Sequence, residues 1–331
     1  MLQHRRALIE FVLEHLVWFM LVAVLAVFSF AVPNFFQPGI FVNIIESSTM
    51  VAVMAIGLAI VIIASNMDLS IESIAALSAM IVGILFCTSG IGINLQLTPS
   101  WLILPVSLLI AMGVGALIGI LNGYLVVRLK MEAFIVTLAS FIWVRGLVVA
   151  ISGGRSAQGL APEIRFIGTE TLLGIPLIAW IAILCFVAFS FLMRMTPFGL
   201  HVTMVGGNKT AAFRAGIKVD RLILVSFIVC GAIAGLAGWL LVIRTSGASA
   251  NLGVGMLFQA FAAVVIGGVS LKGGVGKLPG VYAGVLLLHS IQTAINLMGL
   301  PAHYTQIVLG GLVLAAVLLD TLKHSIRQKL A

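Results

Sequence analysis

Charge is what this sequence most lacks. Only 8% of its 331 residues are Asp, Glu, Lys or Arg, against about 25% in a soluble domain. A chain so poor in charge has no means of covering itself with a water-compatible surface. Carboxylates are scarcest, ten against eighteen Lys and Arg. Cysteine is nearly missing too: Cys87, Cys185 and Cys230 lie in apolar runs without a CxxC partner, which reads as small core residues and excludes a zinc cluster or disulfide framework. The six histidines are scattered, so no metal site is expected. There is no GxxxxGK(S/T) phosphate loop, no HExxH and no GxSxG elbow. Nothing in the chain resembles a nucleotide-binding or hydrolytic centre.

What is present is apolar. Hydrophobic residues make up 62% and the mean hydropathy is +1.25. A bilayer core about 30 Å thick takes about 20 apolar residues per helix. Windows of that kind recur near 15–32, 47–65, 71–88, 101–126, 133–151, 174–193, 222–243, 253–270, 279–297 and 303–320. The expected fold is therefore all-α and polytopic, with about ten transmembrane helices. The eighth window, "GVGMLFQAFAAVVIGGVS", is short and glycine-rich, and a broken or re-entrant helix is the alternative there. The start, "MLQHRRALIEFVLEHLVWFML", runs on without a small-residue cleavage pattern, which favours a retained first span over a signal peptide.

The net charge of +8 reads as an orientation signal and not as nucleic-acid affinity. With the N-terminus in the cytoplasm and ten spans, fourteen of the eighteen basic residues fall on the cytoplasmic side, including Arg5, Arg6, Lys323, Arg327 and Lys329. Arg155, Arg165 and Arg244 fall outside, and Arg145 lies within a span. Such asymmetry supports cytoplasmic N- and C-termini.

Glycines at helical spacing, as in "GVGALIGILNG" and "GAIAGLAG", allow close helix packing, with backbone exposure to a conduit as the other reading. Two short polar turns, near Asp68 and near Gly273, each join two apolar spans and hint at internal duplication.

Ionisable residues inside spans are functional suspects by default. Asp68 and Glu72 are placed at the cytoplasmic boundary between the second and third spans. There Asp68 or Ser70 caps the third span, or serves a gate, while Glu72 sits in its first turn. Arg145 is the one intramembrane cation; it locks helices together by pairing with carbonyls or a carboxylate, or it lines a pathway. Asn122, Thr137, Gln259, Gln292 and Asn296 are further polar residues within spans, either interhelical glue or pathway contacts. No span places an Asp or Glu at mid-depth. An ion-coupled carrier generally needs one, so energy for uphill movement is expected from outside this chain.

One stretch stands apart, "GGNKTAAFRAGIKVDRL". Asn208 suits an N-cap, "KTAAFRA" a helix of about two turns, and Gly216 the position after it. It falls in the longest cytoplasmic loop, 194–221. A basic helix lying on anionic lipid is one reading. The scarcity of bulky apolar residues favours the other, docking of a soluble partner with Phe213 as anchor.

Four segments in order resemble one family: "MDLSIESIAALSAM", "FIVTLASFIWVRGLVVAISGG", "TPFGLHVTMVGGNKTAAFRAGIKVDR" and "VVIGGVSLKGGVGKLPGVYAG". Together they resemble the permease subunits of bacterial ATP-binding cassette importers for ribose, arabinose, xylose or galactose. The resemblance runs from about residue 45 to 320. It implies a single transmembrane permease domain over 1–331, in the bacterial inner membrane, whose 194–221 loop carries a coupling helix. Asn208, Ala211, Ala212, Phe213, Arg214 and Gly216 would form that element. The implied partners are a cytoplasmic ATPase subunit that holds ATP and Mg, a periplasmic sugar-binding protein that meets the Ser152–Leu173 loop, and a second permease chain as a homodimer. The chain itself would be no enzyme and carry no cofactor. It departs from the family pattern at Asn66-Met67 and Glu72, where glycines are usual, and at Leu200, where arginine is usual. The rival reading is a carrier or channel for a small neutral solute that works alone; a membrane-embedded enzyme would need a polar catalytic cluster that the chain does not show.

Overall fold

The computed structural model describes the backbone of residues 2–301, 303–308, 310–315 and 318, with side chains from residue 15 onward. The apolar windows appear as helices: α1 (Leu2–Ala31), α2 (Pro38–Ile63), α3 (Ile71–Phe86), α4 (Ile103–Arg128), α5 (Ala133–Ser152), and later α7 (Leu177–Met195), α10 (Val219–Thr245), α11 (Met256–Ile266) and α12 (Leu278–Leu297). Residues 303–308 and 310–315 are helical as well. Among the described residues six helices are long and apolar enough to cross a membrane; α3, α11 and the described parts of the first and last windows are shorter. The end of the last window lies outside the described residues, as do Lys323, Arg327, Lys329 and the side chains of Arg5 and Arg6.

The eighth window yields only the eleven residues of α11. At about 1.5 Å per residue that is about 16 Å, roughly half a bilayer core. Gly253 and Gly255, both at positive φ (79° and 88°), set the turn that starts it.

The chain is not purely helical. β1 (Cys87–Gly90), β2 (Ala157–Leu160) and β5 (Gly247–Ala248) form a small antiparallel sheet in the order β1-β2-β5, with Cys87 opposite Leu160 and Ala157 opposite Ala248. Between β2 and α7 lie α6 (Pro162–Thr169) and the hairpin β3 (Thr171–Leu172) with β4 (Ile175–Pro176). The strands are extended continuations of α3, α5 and α10, whose backbone groups beyond the helix ends pair with one another. The sheet gathers the C-terminal ends of three helices at one end of the molecule, with Arg155 and Arg165 beside them.

The opposite end is held by glycine. The 194–221 loop folds as α8 (Pro197–Gly207) followed by α9 (Lys209–Arg214). Gly274 N–H donates to Ile63 O at 2.9 Å, and a Cβ on Gly206 would lie 1.7 Å from that same oxygen. A Cβ on Gly273 would meet Ser65 Cα at 2.9 Å. The two polar turns singled out in the sequence, near Asp68 and near Gly273, are therefore spatial neighbours. They meet beside the helix that leads into α9.

α2 and α10 are largely buried at the centre, whereas α4, α5 and α7 present apolar side chains such as Leu109, Ile142 and Phe191 outward, as lipid or a partner chain requires. α4 and α10 touch backbone to backbone: a Cβ on Gly115 would lie 2.0 Å from Gly231 O, and one on Gly235 2.1 Å from Ala111 O. The packing reading of these glycines holds there, since any side chain would force the helices apart. Gly113, two residues from Gly115, has nothing within 4 Å of its Cβ position. Gly115→Leu should lower thermal stability by at least the ~1–3 kcal/mol of an overpacked core, and Gly113→Leu should leave the melting temperature of the purified protein unchanged.

Candidate functional site

Two polar clusters lie inside the apolar body, and a third feature lies at the glycine-held end. The first cluster starts at the break between α2 and α3. Asp68 is fully buried; its Oδ1 accepts from Ser70 N–H at 2.9 Å and from the Ser70 hydroxyl. Asn122 of α4 donates to Ser70 Oγ at 2.9 Å, and its own carbonyl oxygen accepts from the Ser140 hydroxyl of α5. Trp143 Nε1 donates to Ser140 Oγ at 3.3 Å. Thr137 donates to Ala133 O at 2.8 Å, and its Oγ1 also lies 3.3 Å from Met67 O. Asp68 Oδ2 is left without a hydrogen-bond partner, alone in that respect among buried side-chain atoms of the described residues.

The structure therefore joins four sequence candidates, Asp68, Ser70, Asn122 and Thr137, and adds Ser140 and Trp143. It corrects two details. Ser70 occupies the N-cap position of α3 but makes no side-chain cap bond; its hydroxyl is spent on Asp68 and Asn122, and the Asp68 carboxylate takes the free Ser70 N–H. Nor is this cluster at the boundary of the apolar layer. Asn122 stands six residues before the end of α4 and Ser140 seven after the start of α5, so both lie about 10 Å inside.

The second cluster lies farther from the α9 end. Arg145, twelve residues into α5, donates through Nη2 to Glu72 Oε1 at 2.8 Å and through Nη1 to Ala250 O (3.1 Å) and Leu252 O (3.0 Å). Glu72 Oε2 accepts from the backbone N–H groups of Gly255 and Leu257, both at 3.0 Å. The expectation that Arg145 pairs with carbonyls or a carboxylate of another helix is met on both counts. The expectation that no carboxylate lies at mid-depth is overturned. α3 is short and begins well inside the apolar layer, which carries Glu72 down to Arg145. The ion-coupling argument changes form accordingly: this carboxylate has its oxygens occupied by a guanidinium and two amides. The signal was available in the sequence, since an intramembrane Arg and a nearby Glu are each too costly to leave alone.

Gln259 is half-buried on α11; Gln292 is half-buried and Asn296 exposed on α12. α12 packs on α1, α2, α7 and α11, so these two stand apart from both clusters.

The third feature is α9. Asn208 Oδ1 accepts from Ala211 N–H at 2.9 Å, and Gly216 adopts φ +84° after the helix; cap and stop are as the sequence indicates. Ala212 is 2% exposed and seats the helix on the body, while Phe213 is 71% exposed. Ala211 and Arg214 are exposed beside it. Between α9, the α2–α3 turn and the α4–α5 turn lies a cavity of about 670 Å³, lined among others by Met67, Lys130, Ala133, Phe134, Lys209 and Phe213. On its wall Lys130 pairs with Asp220 at 3.1 Å; both are largely exposed, so the pair contributes little stability.

Comparison with known proteins adds a consistent set of matches. The family model described as "Branched-chain amino acid transport system / permease component" matches residues 40–317. The chain is 33% identical to the ribose import permease protein RbsC of Haemophilus influenzae, covering 94% of each. It is 36% identical to the L-arabinose ABC transporter permease protein AraH of Azospirillum brasilense, covering 92% of this chain and 86% of that one. It is 31% identical to the autoinducer 2 import system permease protein LsrC of Yersinia pseudotuberculosis, covering 89% and 82%. No solved structure matches it.

The buried relay makes a specific claim about Asn122, which bonds on both sides. Asn122→Ala strands the Ser140 hydroxyl and removes a donor from Ser70, and should cost about 1–3 kcal/mol. In a double-mutant cycle with Ser140→Ala, thermal unfolding should show a coupling of at least ~0.5 kcal/mol.

Proposed function

This chain belongs to the branched-chain amino acid transport system / permease component family, and from that premise we propose that it is the membrane-spanning permease subunit of an ATP-driven monosaccharide importer. It is a multi-pass inner-membrane protein that shapes the passage, while ATP and Mg are bound and hydrolysed on a separate cytoplasmic subunit. A soluble sugar-binding protein delivers the solute at the end that carries the β1-β2-β5 sheet.

The observation that carries this reading is α9. It is a capped, solvent-facing helix that displays Phe213 between basic residues, at the end where Lys130, Lys209, Lys218 and Lys272 collect. On the positive-inside rule that end is cytoplasmic, with both termini on the same side and ten spans in all, α11 counting as a short one. Asn208 and Gly216 fix the ends of the coupling helix, Ala212 seats it, and Ala211, Phe213 and Arg214 face the ATPase. A homodimer of this permease, meeting through apolar faces such as those of α4 and α5, completes the assembly.

The choice of solute follows from the matched permeases and from the buried charges. A zwitterionic amino acid asks a site for a cation and an anion. Here the intramembrane pair, Glu72 and Arg145, is satisfied by its own members and by backbone groups. A neutral polyol asks only for hydroxyl and amide partners. Asp68, Ser70 and Asn122 form a relay at the cytoplasmic half of the passage under this reading, with Thr137 beside it and Gln259, Gln292 and Asn296 as further contacts.

In proteoliposomes with its ATPase and binding protein, the chain should take up a pentose or hexose only when ATP is supplied. Phe213→Glu together with Arg214→Glu should reduce ATPase association at least about tenfold, as expected for loss of a central interface anchor. Uptake by the isolated chain under a proton or sodium gradient would contradict the proposal and establish a carrier that works alone.

A further inference from the structure

Glu72 and Arg145 do more than neutralise each other. Between β5 and α11 the chain runs without regular structure over residues 249–255, against Arg145, which lies seven residues inside the apolar helix α5. Irregular backbone is tolerated within a membrane only when its N–H and C=O groups are satisfied by protein or by water in a cavity. Part of that demand is met locally, by Leu252 N–H to Ser249 O at 3.1 Å and Met256 N–H to Gly253 O at 3.1 Å. Four of the remaining groups are met by two side chains. Glu72 accepts the N–H groups of Gly255 and Leu257, at the start of α11; Arg145 supplies donors to the carbonyls of Ala250 and Leu252, just before it. The carboxylate thus serves as an N-cap delivered from another helix.

The two roles are chemically opposite and cannot be exchanged. A carboxylate only accepts and a guanidinium only donates, and the segment presents amides on one side and carbonyls on the other. The two residues also sit on different supports, Glu72 on α3 and Arg145 on α5. Both supports start beside α9: the turn before α3, through Met67, and the first residues of α5, Ala133 and Phe134, line the same cavity as Lys209 and Phe213. Thr137 Oγ1, whose proton goes to Ala133 O, also lies 3.3 Å from Met67 O, so the start of α5 touches the turn before α3. The held segment displays Asn251 and Val254 (67% exposed) on its outer side, next to Phe258 (69%) in the first turn of α11.

We propose that Glu72 and Arg145 are positioning residues for transport: they clamp the 250–257 segment at the entry of α11, and through α3 and α5 they carry movement at the α9 end to it. The transport role rests on the permease reading above; the clamp itself does not. Local opening of the segment requires four charge-assisted hydrogen bonds to break together.

Hydrogen exchange of the full chain in lipid nanodiscs tests the clamp directly. In the wild type the amides of Gly255 and Leu257 should exchange far more slowly than those of Gln96 and Leu97, which among the described residues have no hydrogen-bond acceptor in the loop after β1. Glu72→Gln should speed them at least about tenfold, the loss expected when an ionised acceptor is made neutral, with α10 unchanged. Arg145→Lys should loosen the same segment, because an ammonium cannot span the same three acceptors. Wild-type exchange at Gly255 and Leu257 as fast as at Gln96 and Leu97 overturns the proposal without recourse to any variant. So does restoration of protection by the exchanged pair Glu72→Arg with Arg145→Glu, which charge neutralisation alone predicts.

In the assembled transporter, Glu72→Gln should lower the solute moved per ATP hydrolysed several-fold while ATPase association is retained. An unchanged ratio alongside faster exchange would remove the transport role. If the wild type with its ATPase moves no monosaccharide, the permease reading fails and the transport role with it, while the exchange result still decides the clamp.

Discussion

Lipid offers no hydrogen bonds, and that constraint organises this molecule. Every backbone donor and every charge placed at membrane depth must find its partner within the chain. Long helices meet the requirement by themselves. Where a helix stops early, the chain has to supply side chains. It does so at two places, the break between α2 and α3 and the approach to α11, and these hold its buried polar residues of greatest interest. The Asp68–Ser70–Asn122–Ser140 relay and the Glu72–Arg145 clamp are the consequence of two short helices.

The same constraint gives the fold a mechanical character. Side chains are excluded where α4 crosses α10, where Gly206 crowds the carbonyl of Ile63 and where Gly274 crowds Gly207, so these contacts are close and stiff. α8 ends in that crowded joint and α9 follows at once. A displacement of α9 therefore acts on the turn before α3 and on the turn between α11 and α12, not on a loose loop. Both turns border the elements that carry the buried polar clusters. For a permease driven from outside itself, as proposed above, this is the route by which work delivered at one end would reach the interior.

Much of this was legible in the sequence because it depends on short-range patterns. Span positions follow from apolar runs, and α9 with its Asn208 cap and Gly216 stop follows from residues a few positions apart. The depth of Asp68 and Glu72 was misjudged because they were measured from the ends of apolar windows. The structure measures them from Asn122, Ser140 and Arg145, partners far away in the chain. The small sheet escaped notice since four-residue strands such as "CTSG" and "AQGL" carry no periodic signal and exist only by pairing across 70 residues. Asn66, Met67 and Glu72, which depart from the family pattern, sit on this same break; Glu72 there takes up a definite task, one a glycine has no side chain to perform.

The account turns on which side of the membrane α9 faces and what covers it. Its most direct test is labelling of Phe213→Cys, in a chain with Cys185 replaced, by a membrane-impermeant maleimide. The account predicts reaction only when the reagent reaches the cytoplasmic face, and protection when the ATPase subunit is bound. Labelling from outside intact cells, or full reactivity in the assembled complex, would contradict it.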